Sequence, residues 1–152
     1  MEGESFAALR QFLETAPVAL RATRPLSPAA CVNVALPDGP ARFTMEGAAP
    51  ALLAGSAQDP DFTLTLPGGA VRRITSLEGE DVGRFGIEFF KLVLERDPDL
   101  KVRIHIDAPA SRLLAHGYLG VLAAGGLKVT WWLLKKGVKN PLAAIERLRG
   151  VR

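Results

Sequence analysis

The stretch that decides the fold is CVNVALPDGPARFTME, residues 31–46. Apolar side chains alternate with small or polar ones on both sides of Pro37-Asp38-Gly39-Pro40. Alternation of this kind places every second side chain on one face of a strand, and the Pro-Asp-Gly-Pro sequence is typical of a tight turn. The stretch therefore predicts a β-hairpin with strands at 31–36 and 42–46 and one apolar face.

Two later segments show the same two-residue period. PDFTLTL, residues 60–66, alternates apolar residues with threonine, and KVRIHID, residues 101–107, alternates Val102, Ile104 and Ile106 with polar residues. Both patterns are typical of half-buried strands. With a short additional strand near 51–53, they indicate a mainly antiparallel sheet.

Helical spacing of apolar residues dominates the other segments. In the first helix, Ser5 is the expected N-cap and Pro17 lies just past the C-terminal end, while residues 21–30 are expected to form a loop. The order of elements predicts an α+β fold with helices packed over one face of the sheet. Helices are predicted at residues 5–16, 70–77, 82–96, 111–127, 129–136 and 141–148.

The composition is that of an ordinary globular protein. The 152 residues are 48% hydrophobic and 23% charged, which predicts one domain over residues 1–152. Cys31 is the only cysteine, so no internal disulfide can form. Because the N-terminal residues lack a long apolar core, we expect neither a secretory signal nor a transit peptide, and a cytoplasmic location.

The net charge of +3 conceals an asymmetry along the chain. Residues 1–127 carry 12 basic and 15 acidic groups, whereas residues 128–152 carry seven basic groups and one acidic group. We therefore predict that 128–152 is a basic helical C-terminal extension. Because it adjoins an apolar segment, it suits an anionic membrane surface. A basic tail would also suit nucleic acid, but we predict no nucleic-acid partner. The plainer alternative is that these cations solubilise the surface and favour helix C-termini.

Residues with catalytic potential do not fall into a known pattern. The sequence contains no HExxH, no Cys/His set and no GxSxG, so we predict no metal, no cofactor and no enzymatic activity. Cys31 is interpreted as a buried inert thiol, and His105 and His116 as surface or boundary residues. The carboxylates at 78–81 are interpreted as a loop and a helix N-terminus.

Apolar residues exceed the needs of a two-layer domain in two places. One is the helix at 82–96, and the other is GYLGVLAAGGLKVTWWLLKKGVK, residues 117–139, which holds both tryptophans. If the two segments stand slightly apart, they enclose an apolar cavity of about 300–1,000 Å³ that suits a lipid. The predicted ligand-binding residues are Phe85, Phe89, Phe90, Val93, Leu119, Val121, Leu122 and Trp131. The predicted membrane contacts are Trp132, Lys135, Lys136 and Lys139.

Two strand motifs carry a resemblance to a known family. Residues 61–66 (DFTLTL) and 101–106 (KVRIHI) resemble the two motif strands of the sterol carrier protein type 2, or nonspecific lipid-transfer, domain. The resemblance covers about residues 5–127. It implies a five-stranded sheet, helices over one face and an apolar tunnel that binds sterols, fatty acyl chains or phospholipids. Leu100 and Asp107 replace glycines that bracket the second motif in the family.

Besides an enzyme of small apolar substrates, which ranks last because no catalytic motif supports it, two alternatives remain open from the sequence. In the first, the chain is an accessory or interaction domain whose segment 117–139 packs on a partner chain or forms a homodimer. In the second, residues 117–134 cross a membrane. Lys128 and four glycines interrupt that span, so a surface-bound segment is favoured over a spanning one.

Overall fold

A computed structural model describes residues 3–79, 81–118 and 120 of the chain. Its elements alternate between short helices and strands. In chain order they are α1 (Glu4–Thr15), α2 (Pro17–Thr23), β1 (Cys31–Leu36), β2 (Gly39–Glu46), β3 (Ala49–Ala54), β4 (Phe62–Thr65), α3 (Gly68–Thr75), α4 (Val82–Val93), β5 (Arg103–Ile106) and α5 (Ala110–Ala115).

The strands form a five-stranded mixed sheet in the order β3-β2-β1-β4-β5. The pairs β1–β2, β2–β3 and β4–β5 are antiparallel, as the sequence predicted for most of the sheet. The pair β1–β4 is parallel. The parallel pairing requires a crossover, and the segment through β2 and β3 supplies it. An α+β fold is thus confirmed, and the sheet is mixed with mostly antiparallel pairs.

One face of the sheet carries the apolar residues. The strand registers align them in rows, because every second residue of each strand points the same way. The helices α1, α2, α3 and α4 contribute buried side chains to the same core cluster, so they cover this face. One row across the sheet consists of Leu52, Phe43, Val32, Phe62 and Ile106.

The chain between α1 and β1 differs from its predicted form. A loop was predicted at residues 21–30, but residues 21–23 belong to α2. This helix starts at Pro17 and buries Val18, Ala19 and Ala22. Pro17 was interpreted as lying past the end of a helix, but it occupies the first turn of the next one. Proline is well tolerated there, because the first-turn N–H has no partner within the helix.

The N-terminus of α1 is capped from elsewhere in the chain. The predicted cap, Ser5, is wrong, since the N-cap residue is Gly3 and no side chain within the helix caps it. Instead the carboxylate of Asp38 accepts a hydrogen bond of 2.7 Å from the N–H of Phe6. Asp38 belongs to the two-residue turn between β1 and β2, so this bond joins the first helix to the first hairpin.

Several predicted boundaries shift by a few residues. The strand near 51–53 extends over Ala49–Ala54, and the helix expected to reach residue 96 ends at Val93. The predicted helices at 129–136 and 141–148, and the extension 128–152, lie outside the described residues. No helix in the described part of the chain is both long enough and apolar enough to cross a membrane.

Candidate functional site

Helix α4 is apolar around most of its circumference, as the sequence predicted. Phe85, Phe89 and Val93 recur every four positions and pack against the main core, yet each remains half-buried. Phe90 is also half-buried, and its ring lies edge-on to that of Phe89 with centroids 5.8 Å apart. A helix that is apolar on more than one side is contacted on more than one side.

Contacts at both ends fix the position of α4. At its C-terminal end, the N–H of Val102 donates to the carbonyl of Leu92 at 3.1 Å, and the Lys101 ammonium donates to the carbonyl of Val93 at 2.8 Å. Nearer its N-terminus, Phe85 stacks on Phe12 of α1, with centroids 5.9 Å apart. Helix α4 therefore extends from the start of β5 to the helices α1 and α2.

The sheet, like α4, has half-buried apolar residues, and they lie at its β4–β5 side. Phe62, Leu64 and Ile104 lie on the apolar face and pack against the same core as α4, but they are only half-buried. Their neighbours in the same rows, Val32 and Val34, are buried. We call the three strand residues together with Phe85, Phe89 and Val93 of α4 the apolar layer.

A cleft of about 260 Å³ opens beside the N-terminal half of α4. Its apolar residues come from three different elements: Val18 of α2, Leu77 after α3, and Phe85 of α4. Polar groups complete the lining. These are Ser76, Glu78, Asp81 and Arg84.

A second depression of about 390 Å³ lies at the start of α3 and is polar. Arg72 forms an ion pair of 3.2 Å with Asp99, and both side chains are mostly exposed. The N–H of Gly69 donates to the Asp99 carboxylate at 3.3 Å. The Asp99 carboxylate thus satisfies an N–H at the start of α3 and pairs with Arg72 of the same helix.

A buried carboxylate, which the sequence analysis did not single out, organises the β4–β5 end of the sheet. Asp61 is 1% exposed. One oxygen pairs with Tyr118 Oη at 2.7 Å, with His116 Nδ1 at 2.8 Å and with the Cys31 N–H at 3.2 Å. The other oxygen accepts a hydrogen bond of 3.0 Å from Nε of Arg112. Because a carboxylate only accepts, the proton in the His116 bond is on Nδ1.

The electrostatics of this group favour the ionised carboxylate. Burial of Asp61 opposes ionisation, but the hydrogen bonds from His116, Tyr118 and the Cys31 N–H outweigh it, so the net pKa is lowered. Burial and the same carboxylate raise the pKa of Tyr118, which stays a neutral donor. We call Asp61, Arg112, His116 and Tyr118 the Asp61 anchor.

The Asp61 anchor ties distant parts of the chain together. Arg112 also binds the Asp59 carboxylate with both Nη atoms, at 2.8 and 3.1 Å. The Tyr118 ring lies edge-on to Phe62, with centroids 4.7 Å apart. Every donor side chain of the anchor is thus directed at the Asp61 carboxylate, so the network joins the start of β4 to α5 and the residues that follow it.

Cys31 lies beside the Asp61 anchor, since its N–H donates to the Asp61 carboxylate. Cys31 is half-buried rather than buried as predicted, and burial followed by the nearby Asp61 charge raises the pKa of its thiol. A thiol of this kind is a weak nucleophile at neutral pH. Within residues 3–79, 81–118 and 120, no group of three or more His, Cys, Asp or Glu side chains is arranged to hold a metal ion.

The structure places only part of the predicted binding set. Phe85, Phe89 and Val93 come together in the apolar layer, and the ring of Phe90 lies edge-on to that of Phe89. The remaining predicted residues lie outside the described part of the chain. For ligand binding these are Leu119, Val121, Leu122 and Trp131, and for membrane contact Trp132, Lys135, Lys136 and Lys139.

Comparisons with known proteins give no independent indication of function. No family model, curated protein or solved structure matches the chain. The resemblance to sterol carrier domains therefore stays a prediction from two strand motifs.

Proposed function

We propose that this protein binds an apolar small molecule, such as an acyl chain or a sterol, without catalysing a reaction on it. The observation that carries the proposal is the apolar layer. Six large apolar side chains on α4 and on the β4–β5 side of the sheet are half-buried, while their row neighbours on β1 are buried. Strand motifs resembling those of sterol carrier domains support the same function.

The energetics favour an apolar ligand at such a layer. Each CH₂ group moved from water into apolar surroundings contributes about 0.8 kcal/mol. A chain of ten such groups therefore contributes about 8 kcal/mol toward the association cost of about 4–15 kcal/mol, without any ion pair or reactive group. The Asp61 anchor serves this function as a support, because Tyr118 holds Phe62 of the apolar layer from the side.

Replacing Phe89 with Ala should weaken binding of a fluorescent fatty acid about tenfold, since it removes a large side chain of the apolar layer. Displacement titrations with the purified full-length chain measure this change. The matched control is Leu94→Ala, which removes an apolar side chain that follows the same helix but is 53% exposed and does not belong to the apolar layer. The control should bind like the wild type.

Two results would contradict the proposal. One is a wild-type protein that carries no lipid by native mass spectrometry and displaces no fluorescent fatty acid. The other is equal affinity in Phe89→Ala and the wild type while both retain the same circular dichroism spectrum. Either result would remove the apolar layer as a binding site.

We also propose that the basic extension contacts an anionic membrane, through Trp132, Lys135, Lys136 and Lys139. The full-length chain should float with vesicles rich in phosphatidylserine at low salt and separate from them at high salt, since basic residues near such a surface contribute about 1 kcal/mol each. Charge-neutral vesicles are the control. Flotation that is equal with both kinds of vesicle would refute electrostatic docking.

A further inference from the structure

The two edges of the sheet differ in how they are covered. At the β3 edge, the N–H of Leu52 donates to the Glu14 carboxylate of α1 at 3.1 Å, so a helix shields this edge. The opposite edge is formed by β5. An uncovered strand edge presents peptide groups that pair readily with another strand. The outer peptide groups of β5 therefore decide whether the sheet can be extended.

Two residues of β5 direct their peptide groups outward. The N–H of Asp107 faces β4 and donates at 3.0 Å to the residue that precedes that strand, whereas the N–H of Val102 donates to the carbonyl of Leu92 in α4 at 3.1 Å. Because successive peptide groups of a strand point to opposite sides, those of Ile104 and Ile106 point away from β4. Within the described part of the chain, no backbone group bonds to these two.

Exposed apolar side chains belong to the two helices that adjoin β5. Leu94, which is 53% exposed, follows the last turn of α4, the turn that bonds to Val102. Leu114, which is 55% exposed, lies in α5 next to Leu113, and Leu113 is buried against Ile106 of β5. Large apolar residues that stay exposed on neighbouring elements are typical of an interaction surface.

We propose that two copies of the chain associate by antiparallel pairing of their β5 strands, which joins two five-stranded sheets into one. The inference does not depend on lipid binding. The outward peptide groups pair in a register that aligns Ile104 with the partner's Ile106. This register places Arg103 opposite the partner's Asp107, and two-fold symmetry produces the contact twice. Opposite charges that face each other across two strands stabilise the pair.

The two charged residues of this contact are exposed, and Asp107 retains acceptor positions for it. One Asp107 oxygen accepts a hydrogen bond of 2.7 Å from Thr63 Oγ1, and the other lies 3.4 Å from Nε2 of His105. A carboxylate has about four acceptor positions in all. The contacts within the chain therefore leave room for the partner's Arg103.

The mass of the full-length chain in solution, measured by sedimentation equilibrium, tests the proposal. At about 0.1 mM, which populates even weak dimers, the wild type should have twice the 16.3 kDa of one chain. Arg103→Glu should raise the dissociation constant about tenfold, because two attractive contacts become repulsive. Arg73→Glu makes the same change at an exposed residue of α3 and should dimerise like the wild type.

A cysteine at the two-fold axis tests the register. In that register His105 lies opposite the partner's His105, in a pair whose Cα atoms are about 4.5 Å apart, which a disulfide can span. In a Cys31→Ser background, His105→Cys should therefore form a linked dimer when copper phenanthroline oxidises the two thiols. Thr65→Cys, at an exposed residue of β4, is the control and should run as one chain on a non-reducing gel.

Two kinds of result would overturn the proposal. One is a wild type that keeps the mass of a single chain at the same concentration. The other is a dimer that His105→Cys fails to link, or that Arg103→Glu leaves as tight as the wild type, because the contact would then lie on another surface. Circular dichroism spectra that match the wild type show that each variant is folded.

Discussion

Replacing Asp61 with Asn should lower the free energy of unfolding by about 3 kcal/mol, one of the two largest effects of a single substitution that we expect. The carboxylate meets donors on Cys31, Arg112, His116 and Tyr118, and it is 1% exposed. An amide has only one accepting oxygen and brings two donors of its own, so buried N–H groups would face each other. Urea denaturation followed by circular dichroism measures the change.

Asp59→Asn is the matched control for this prediction. Asp59 also binds Arg112, with an oxygen 2.8 Å from Nη1, but its side chain is 80% exposed. Exposed ion pairs contribute about 0–1 kcal/mol, so the control should stay within that range. If the two variants are equally stable, Asp61 does not organise the β4–β5 end of the sheet.

The pH dependence of stability gives an independent readout of the same group. The folded-state pKa of Asp61 lies below its ordinary value of 3.8. Its stabilising contribution is therefore fully present above the unfolded-state pKa and is lost as the pH falls through the lower, folded-state pKa. The wild type should lose stability in that acid range, and Asp61→Asn should lack this part of the loss. If the free energy of unfolding falls equally with decreasing pH in both proteins, the loss does not come from Asp61.

Replacing Gly117 with Ala should also destabilise the protein by about 3 kcal/mol, through backbone strain together with a steric clash. The backbone of Gly117 has a φ of +91°, which side-chain-bearing residues rarely adopt, and an added Cβ would collide with the carbonyl of Pro25. Backbone atoms at Pro25 and Leu26 cannot move aside as the end of a flexible side chain can. Thermal and urea unfolding of the variant provide the measurement.

Gly79→Ala separates the two causes of that effect. Gly79 has almost the same φ, +92°, but an added Cβ there meets no atom within 4 Å. It should therefore lose only the roughly 1–2 kcal/mol of strain. Equal losses in the two variants would show that the close approach to Pro25 contributes nothing.

The strands were predictable because their signal is local. Alternating apolar residues in β1, β2, β4 and β5 follow directly from the period of two, and each strand was expected near its observed position. Helix α2 was missed because proline ends one helix and begins another with equal ease. Nothing within residues 17–23 decides between those roles, and burial of Val18 against the core does.

The parts of the site that depend on contacts between distant residues could not be predicted. Phe85, Phe89 and Val93 were expected from their spacing on one helix. The partners of Asp61, in contrast, are 51 to 57 positions further along the chain, in Arg112, His116 and Tyr118. The cleft likewise needs Val18 beside Phe85, and no local pattern brings these together. The only sequence signal was Asp61 itself, an acidic residue next to an apolar strand.

The position of β1 in the sheet has a consequence for synthesis of the chain on the ribosome. The first strand to emerge lies at the centre, with β2 on one side and β4 on the other. The edge of β1 that faces β2 pairs as soon as β2 emerges, because a two-residue turn joins the two strands. The other edge of β1 stays unpaired until β4 has emerged. Until then the nascent protein exposes an apolar strand with unpaired peptide groups, which is the kind of surface that chaperones bind and that aggregation begins from.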